Sequence, residues 1–198
     1  MKNILLLSLV ILVSCKSDKQ DNFLENHDHS KHISQKIKSE KAIDFYNKGA
    51  KLFKKRNLDS AKIYLNKSLE IEKNPMVINE LGTIALTEKK YQEAINYFND
   101  GIKQDLNYWP NHINKSRAFI LENHFNSAEK TLKNMLLKCE SEYWRAYANL
   151  YLTYIYTNGI VDCEKAKESS NKAVFIKKDI KLKNQYENII NRMKKDCS

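Results

Sequence analysis

Three imidazoles stand within six residues at His27-Asp28-His29-Ser30-Lys31-His32, and four cysteines are spread along the chain at positions 15, 139, 163 and 197. Unprotonated imidazole is a good ligand for Zn²⁺ and Cu²⁺. The histidine cluster, however, sits in a polar stretch with no rigid element to fix it. No fourth ligand stands at a structural-zinc spacing, so the cluster reads as solvated chain and no metal site is assigned. His112 and His124 fall near opposite ends of one helical segment, and neither has a nucleophile with a companion base. There is no G-x-S-x-G, no H-E-x-x-H and no paired C-x-x-C. The four glycines, 49, 82, 101 and 159, stand singly, which leaves no Gly-rich cradle for phosphate. No catalytic residue and no cofactor is expected, and the residues point away from an enzyme.

Positioning comes next, beginning at the N-terminus. Residues 1–14 have a basic start at Lys2 and an apolar run from Ile4 to Val13. That run is too short for a bilayer span, which takes about 20 apolar residues, and it fits the h-region of a secretory signal peptide. Its end, Leu12-Val13-Ser14-Cys15, resembles a bacterial lipobox. The resemblance implies diacylglyceryl attachment to the Cys15 thiol, cleavage before it, and acylation (typically palmitate) of the new amino terminus. The alternatives are an ordinary signal peptide with a chance cysteine, or an uncleaved anchor. Lys16, in place of an aspartate, is the residue type that in Gram-negative sorting goes with the outer membrane. Lys16-Ser17-Asp18 also resembles a surface-export signal, so both the periplasmic and the surface face stay open. Residues 15–38 are polar, with Phe23, Leu24, Ile33 and Ile37 scattered among them. They lack the apolar content to fold alone, and a flexible tether of roughly 23 residues has an end-to-end distance of about 25 Å.

Residues 39–198 are enough for one domain with a continuous core. Gly82 and Ala94 stand among Leu81, Tyr91 and Phe98. Gly49, Leu58, Ala61 and Leu65 repeat that register upstream, and Ser116, Phe125, Ala128 and Leu132 repeat it downstream. Ala61, Ala94 and Ala128 are 33 and 34 residues apart. Small residues where helices touch, large ones between and this period resemble the tetratricopeptide (TPR) repeat. The resemblance implies an all-α fold, a TPR-type right-handed superhelical solenoid of helix pairs. The spacing predicts pairs near 40–55 and 58–72, 76–88 and 91–104, 109–122 and 125–138. Pro75 and Pro110 fall in first turns, where proline is tolerated. The repeats run approximately 41–74, 75–108, 109–141 and 142–176. They depart from the family in Ser68, Gly101 and Met135, where alanine is common, and in Ser116 for glycine.

The fourth unit is longer. Its extra residues lie around Thr157-Asn158-Gly159-Ile160-Val161-Asp162, which resembles the Sel-like variant with an extended inter-helix loop. Leu182, Tyr186, Ile189, Ile190 and Met193 then form the stripe of a helix with one buried face. With its other face polar, this reads as a C-terminal capping helix at 179–195. Within such a solenoid, Cys139 ends a second helix at one edge, whereas Cys163 lies in a loop at the other. The cap runs back toward Cys163 before reaching Cys197. A Cys163–Cys197 disulfide with Cys139 as a buried thiol is predicted, three free thiols being the alternative.

In TPR proteins each first helix faces a concave groove that binds an extended peptide or a partner helix. The matching register here implies groove positions at Tyr46, Ala50 and Phe53, at Asn79, Thr83 and Leu86, and at Ile113, Arg117 and Ile120. Tyr46-Ala50 and Asn79-Thr83 do not reproduce the lysine/asparagine carboxylate clamp of chaperone-binding members. The aromatic segment 142–157 adds Trp144, Arg145, Asn149 and Tyr151, residue types common in binding hot spots, though its aromatics also suit the core of a wide repeat. The net charge of +10, from 34 Lys and Arg against 24 Asp and Glu, bears on association rather than fold. A protein or peptide partner in the groove and a membrane reached by lipid anchor are expected; nucleic acid is not. The resulting expectation is an envelope lipoprotein, in the outer membrane of a Gram-negative bacterium, that scaffolds protein contacts. The alternative is a basic glycan- or peptidoglycan-associated factor.

Overall fold

A computed structural model describes residues 37–180 and 182–198. Residues 1–14, Cys15, the histidine cluster at 27–32, the scattered apolar residues Phe23, Leu24 and Ile33, and Lys181 lie outside the described residues. Among the described residues the regular elements are all helical: α1 (Glu40–Lys54), α2 (Leu58–Ile71), α3 (Pro75–Thr87), α4 (Tyr91–Gln104), α5 (Trp109–Leu121), α6 (Phe125–Leu136), α7 (Glu142–Asn158), α8 (Cys163–Lys172), a 3₁₀ turn (Val174–Lys178) and α9 (Lys183–Asp196).

Local chemistry sets many of the boundaries. Ser39, Asn57, Asn74 and Asp162 are N-caps whose side chains accept from Ala42, Ser60, Met76 and Lys165 N–H, satisfying donors that have no intrahelical partner. Pro75 and Pro110 occupy the first turns of α3 and α5. The first three A–B turns each close with one left-handed residue, at Arg56, Lys89 and Asn123. The next N–H returns to a carbonyl five residues back: Asn57 to Leu52, Lys90 to Ala85, His124 to Phe119. This repeated closure reverses the chain within a few residues, so successive helices are antiparallel neighbours.

The pairs α1–α2, α3–α4, α5–α6 and α7–α8 stack in order, each first helix also packing on the next. The result is an all-α solenoid. The small residues sit where the backbones converge. A Cβ on Gly49 would run into Leu65 and one on Gly82 into the Phe98 ring. Ala61, Ala94 and Ala128 are fully buried. The three departures at the late alanine position have separate local reasons. Ser68 donates to Ala42 O across α1–α2 at 2.8 Å. Gly101 leaves room for the Asn111 side chain, which donates to Pro75 O at 3.3 Å and so ties repeat three to repeat two. Met135 is simply core.

Both ends of the described fold are fastened. At the start, the Glu72 carboxylate accepts from Lys38 N–H at 2.9 and 3.1 Å and from Ser39 N–H at 2.9 Å, with Ile37 buried beside it. At the far end α8 stops after Lys172, earlier than the 142–176 repeat length allows. Val174–Lys178 forms the 3₁₀ turn that drops Ile176 into the core, and α9 then packs on α7 and α8. Cys163 is bonded to Cys197 with Cα atoms 5.3 Å apart, and Cys139 is a buried free thiol. Burial pushes that thiol's pKa up, which suppresses the reactive thiolate.

Candidate partner-binding face

The first helices α1, α3, α5 and α7 line one side of the solenoid, and their facing side chains are largely used up in packing against one another. Tyr46, Phe53, Asn79, Leu86, Ile113, Ile120, Asn149 and Tyr151 are all buried. Phe53 and Tyr46 belong to the core of repeats one and two; Ile113, Ile120 and Tyr151 belong to that of repeats three and four. These positions point inward as the register implies, but adjacent first helices approach too closely to leave them as contact surface. Asn149 spends its amide on Arg145 O at 2.8 Å. Arg145 is exposed yet structural: its guanidinium donates to Leu136 O and Cys139 O, both at 2.8 Å, closing the C-terminal end of α6. Besides Arg145, that leaves Ala50, Thr83, Arg117 and Trp144 as the predicted groove residues that remain accessible, each of them half-buried.

What connects them is a row of polar side chains that the sequence reading only half captured. Asn114 donates to Asn79 Oδ1 at 2.9 Å, and Arg117 donates to Asn114 Oδ1 at 2.8 Å. The relay runs from α3 across to α5 and fixes the guanidinium. Arg117 forms no ion pair among the described residues, so its remaining N–H donors are presented in a set geometry. Its charge reaches the Tyr147 hydroxyl of α7. From there the aromatic side chains are continuous: Trp144 stacks on Tyr147 at 6.0 Å, Tyr143 meets Trp144 edge-on at 5.0 Å, and Tyr147 lies 5.3 Å from Tyr151. Tyr143 donates to Asp179 at 3.0 Å, and Gln185 reaches the Tyr151 hydroxyl at 3.5 Å, so the cap buttresses this aromatic strip. Burial raises the Tyr143 and Tyr147 pKa values well above the ordinary tyrosine range, and both stay protonated hydrogen-bond donors.

At the other end of the row lies Glu80, which motif reasoning passed over. Desolvation by burial raises its carboxyl to about 7, with Lys54 of α1 opposing the shift. Tyr46 of α1 and Tyr108, just before α5, flank it, and burial and then the Glu80 charge hold both phenols far above their usual range. A sequence signal did exist: Glu80 is the one charged residue in α3, PMVINELGTIALT, a helix buried on most sides.

The two histidines among the described residues stand apart from each other. His112 has Nε2 at 3.0 Å from Leu106 O, and burial lowers its pKa. His124 lies 3.4 Å from Glu122 at an exposed turn. Among the described residues no three His, Cys, Asp or Glu side chains gather to hold a metal ion, and no helix is long and apolar enough to cross a membrane.

No protein-family model matches the chain, and neither does any curated protein. Solved structures do. A double mutant of MamA RS-1 aligns at 19% identity over 79% of this chain and 96% of its own, with a TM-score of 0.58. MamA from Desulfovibrio magneticus RS-1, from its residue 41 to its end, aligns at 18% over 79% and 93%, TM-score 0.59. A tetratricopeptide repeat protein from Parabacteroides merdae aligns at 16% over 78% and 66%, TM-score 0.60. The fold is therefore the TPR-type solenoid.

Proposed function

We propose that this chain is a membrane-anchored bacterial lipoprotein of the cell envelope whose solenoid scaffolds a protein–protein contact through the face around Arg117. The observation that carries the reading is the Asn79–Asn114–Arg117 relay, whose charge is felt at Tyr147, the ring on which Trp144 stacks. A half-buried arginine held by a side-chain hydrogen bond, with tryptophan and tyrosine on the next first helix, is the composition of a binding hot spot. It also loses little entropy on engaging a carboxylate or a backbone carbonyl, because the guanidinium is already oriented. The similarity in fold to TPR proteins supports a binding role rather than catalysis. The lipidation at Cys15 and the outer-membrane location rest on the sequence around Leu12-Val13-Ser14-Cys15-Lys16.

The test is crosslinked capture from membranes with the full chain, comparing wild type with Arg117→Glu and Asn114→Ala. One envelope protein recovered by wild type and lost in both variants is the expected result. Equal recovery in all three would overturn the assignment of this face. Loss of membrane association in Cys15→Ala tests the anchor separately.

A further inference from the structure

Seven large aliphatic side chains are strongly exposed among the described residues, and their placement is uneven. Ile71, Leu106, Leu137, Val174 and Ile180 all lie in or beside the segments that join one repeat to the next. Because the helices alternate in direction, those segments share one edge of the solenoid. The opposite edge, made of the A–B turns, exposes Val161, and Ile63 is exposed on the flank of α2. Isolated exposed aliphatics need no explanation, but recurrence at successive inter-repeat turns along one edge does. Leu137 is the extreme case, 83% exposed.

Two further features fall on the same edge. Lysines accompany the aliphatics turn by turn: Lys73, Lys103, Lys138, Lys177 and Lys178 are all exposed there. Three carboxylates on this edge are engaged internally: Glu72 holds Lys38 and Ser39 N–H, Asp105 accepts from Asn107 N–H, and Asp179 accepts from Tyr143. Glu140 and Glu142 are exposed beside Lys138, and Lys103 pairs with Asp100 at 3.0 Å, which leaves Lys73, Lys138, Lys177 and Lys178 in excess. Both tryptophans, Trp109 and Trp144, are half-buried in the first turns of α5 and α7. Aliphatic tips, lysines and half-buried indoles along one edge suit a bilayer interface, where apolar groups enter the acyl boundary, indoles sit at headgroup depth and cations meet anionic lipid. The chain also enters the fold at this edge. Ile37 and Ser39, where the described chain begins, precede α1 there.

We infer that the inter-repeat edge is a lipid-docking surface that lays the solenoid against an anionic bilayer. A membrane fits better than a second copy of this chain, because a second copy carries the same lysines and the same +10 charge. The surface shares Trp144 with the Arg117 face, but its aliphatic and lysine residues lie elsewhere and the inference does not depend on Arg117.

Vesicles of phosphatidylglycerol and phosphatidylcholine carrying brominated acyl chains are the probe, with the full chain in each variant. Bromine quenches indole fluorescence on contact, so it reports the depth of Trp109 and Trp144. Any capture of vesicles through the N-terminal extension is common to all variants, so only the difference between variants is read. Wild type and the opposite-edge variant Val161→Glu are expected to be quenched alike. The triple variant Leu106→Glu, Leu137→Glu, Ile180→Glu should require about tenfold more lipid for the same quenching. Charge reversal at Lys138, Lys177 and Lys178 should do the same on anionic vesicles. All substituted positions are exposed, and helical circular dichroism checks that each variant is folded. Absence of quenching in wild type, or equal quenching in the triple variant, overturns the inference. In either case an Arg117-dependent protein capture would leave the scaffold reading standing.

Discussion

Replacing Glu80 by glutamine should make the protein more stable, and by an amount that grows with pH. The side chain keeps its length and its hydrogen-bonding oxygen but loses the charge that burial disfavours. With the carboxyl raised from 4.5 to about 7 in the folded state, the native protein binds more protons than the unfolded chain between those values. Stability therefore falls as pH rises through that window, and the penalty is complete above the folded pKa. At ~1.4 kcal/mol per unit, the full cost approaches ~3 kcal/mol, of which roughly 2 to 2.5 develops between pH 5 and pH 8. Urea unfolding of wild type and Glu80→Gln at pH 5, 6, 7 and 8 measures it. Subtracting the two curves removes the other titrating groups, including Glu88, whose pKa is lowered by its bonds to Lys62 and Lys90 and whose own trend is opposite in sign. A difference that stays flat to within ~0.5 kcal/mol from pH 5 to pH 8 would refute the reasoning, since a carboxylate with an ordinary pKa gives no such slope.

Two further outcomes follow from the fourth repeat. Val161 is a β-branched residue held at φ 55, in the left-handed region, and it is well exposed. Val161→Gly should raise the unfolding free energy by ~1 kcal/mol in equilibrium denaturation, because it releases backbone strain and removes no core contact. The Cys163–Cys197 bond closes a loop with a sequence separation of 34, so Cys163→Ser should lower stability by ~3 kcal/mol or more. The loss should appear first as faster amide exchange in α9, while exchange in α3 and α4 stays as in wild type.

The solenoid was legible because its determinants are local. Gly49, Gly82 and the alanines at 61, 94 and 128 mark helix contacts wherever they occur, and Ser39, Pro75 and Pro110 mark starts. Helix direction likewise follows from chain order, which is why Cys163 and Cys197 can be placed at one edge and Cys139 at the other. The proposed binding face was much less legible. Register says which way Ile113 or Phe53 points, but not how near the next first helix comes, and that distance decides between groove and core. Arg145 looked like a hot-spot residue by type, whereas its partners are two carbonyls that exist only once α6 has ended. Glu80 carried no motif at all; its meaning comes from Tyr46 and Tyr108, 34 residues upstream and 28 downstream.

The grip of Glu72 on the chain just before α1 has a mechanical side. Any pull on the N-terminal extension enters the folded protein at Lys38 and Ser39, whose N–H groups one carboxylate holds from the end of α2. Load is thus passed straight to the second helix of the first repeat, bypassing α1, and this latch is the first link to bear it. The far end, stapled covalently between α8 and α9, cannot peel in the same way. Under tension the solenoid should therefore come apart from its N-terminal end, one repeat at a time, with the disulfide-bound repeat the last to yield.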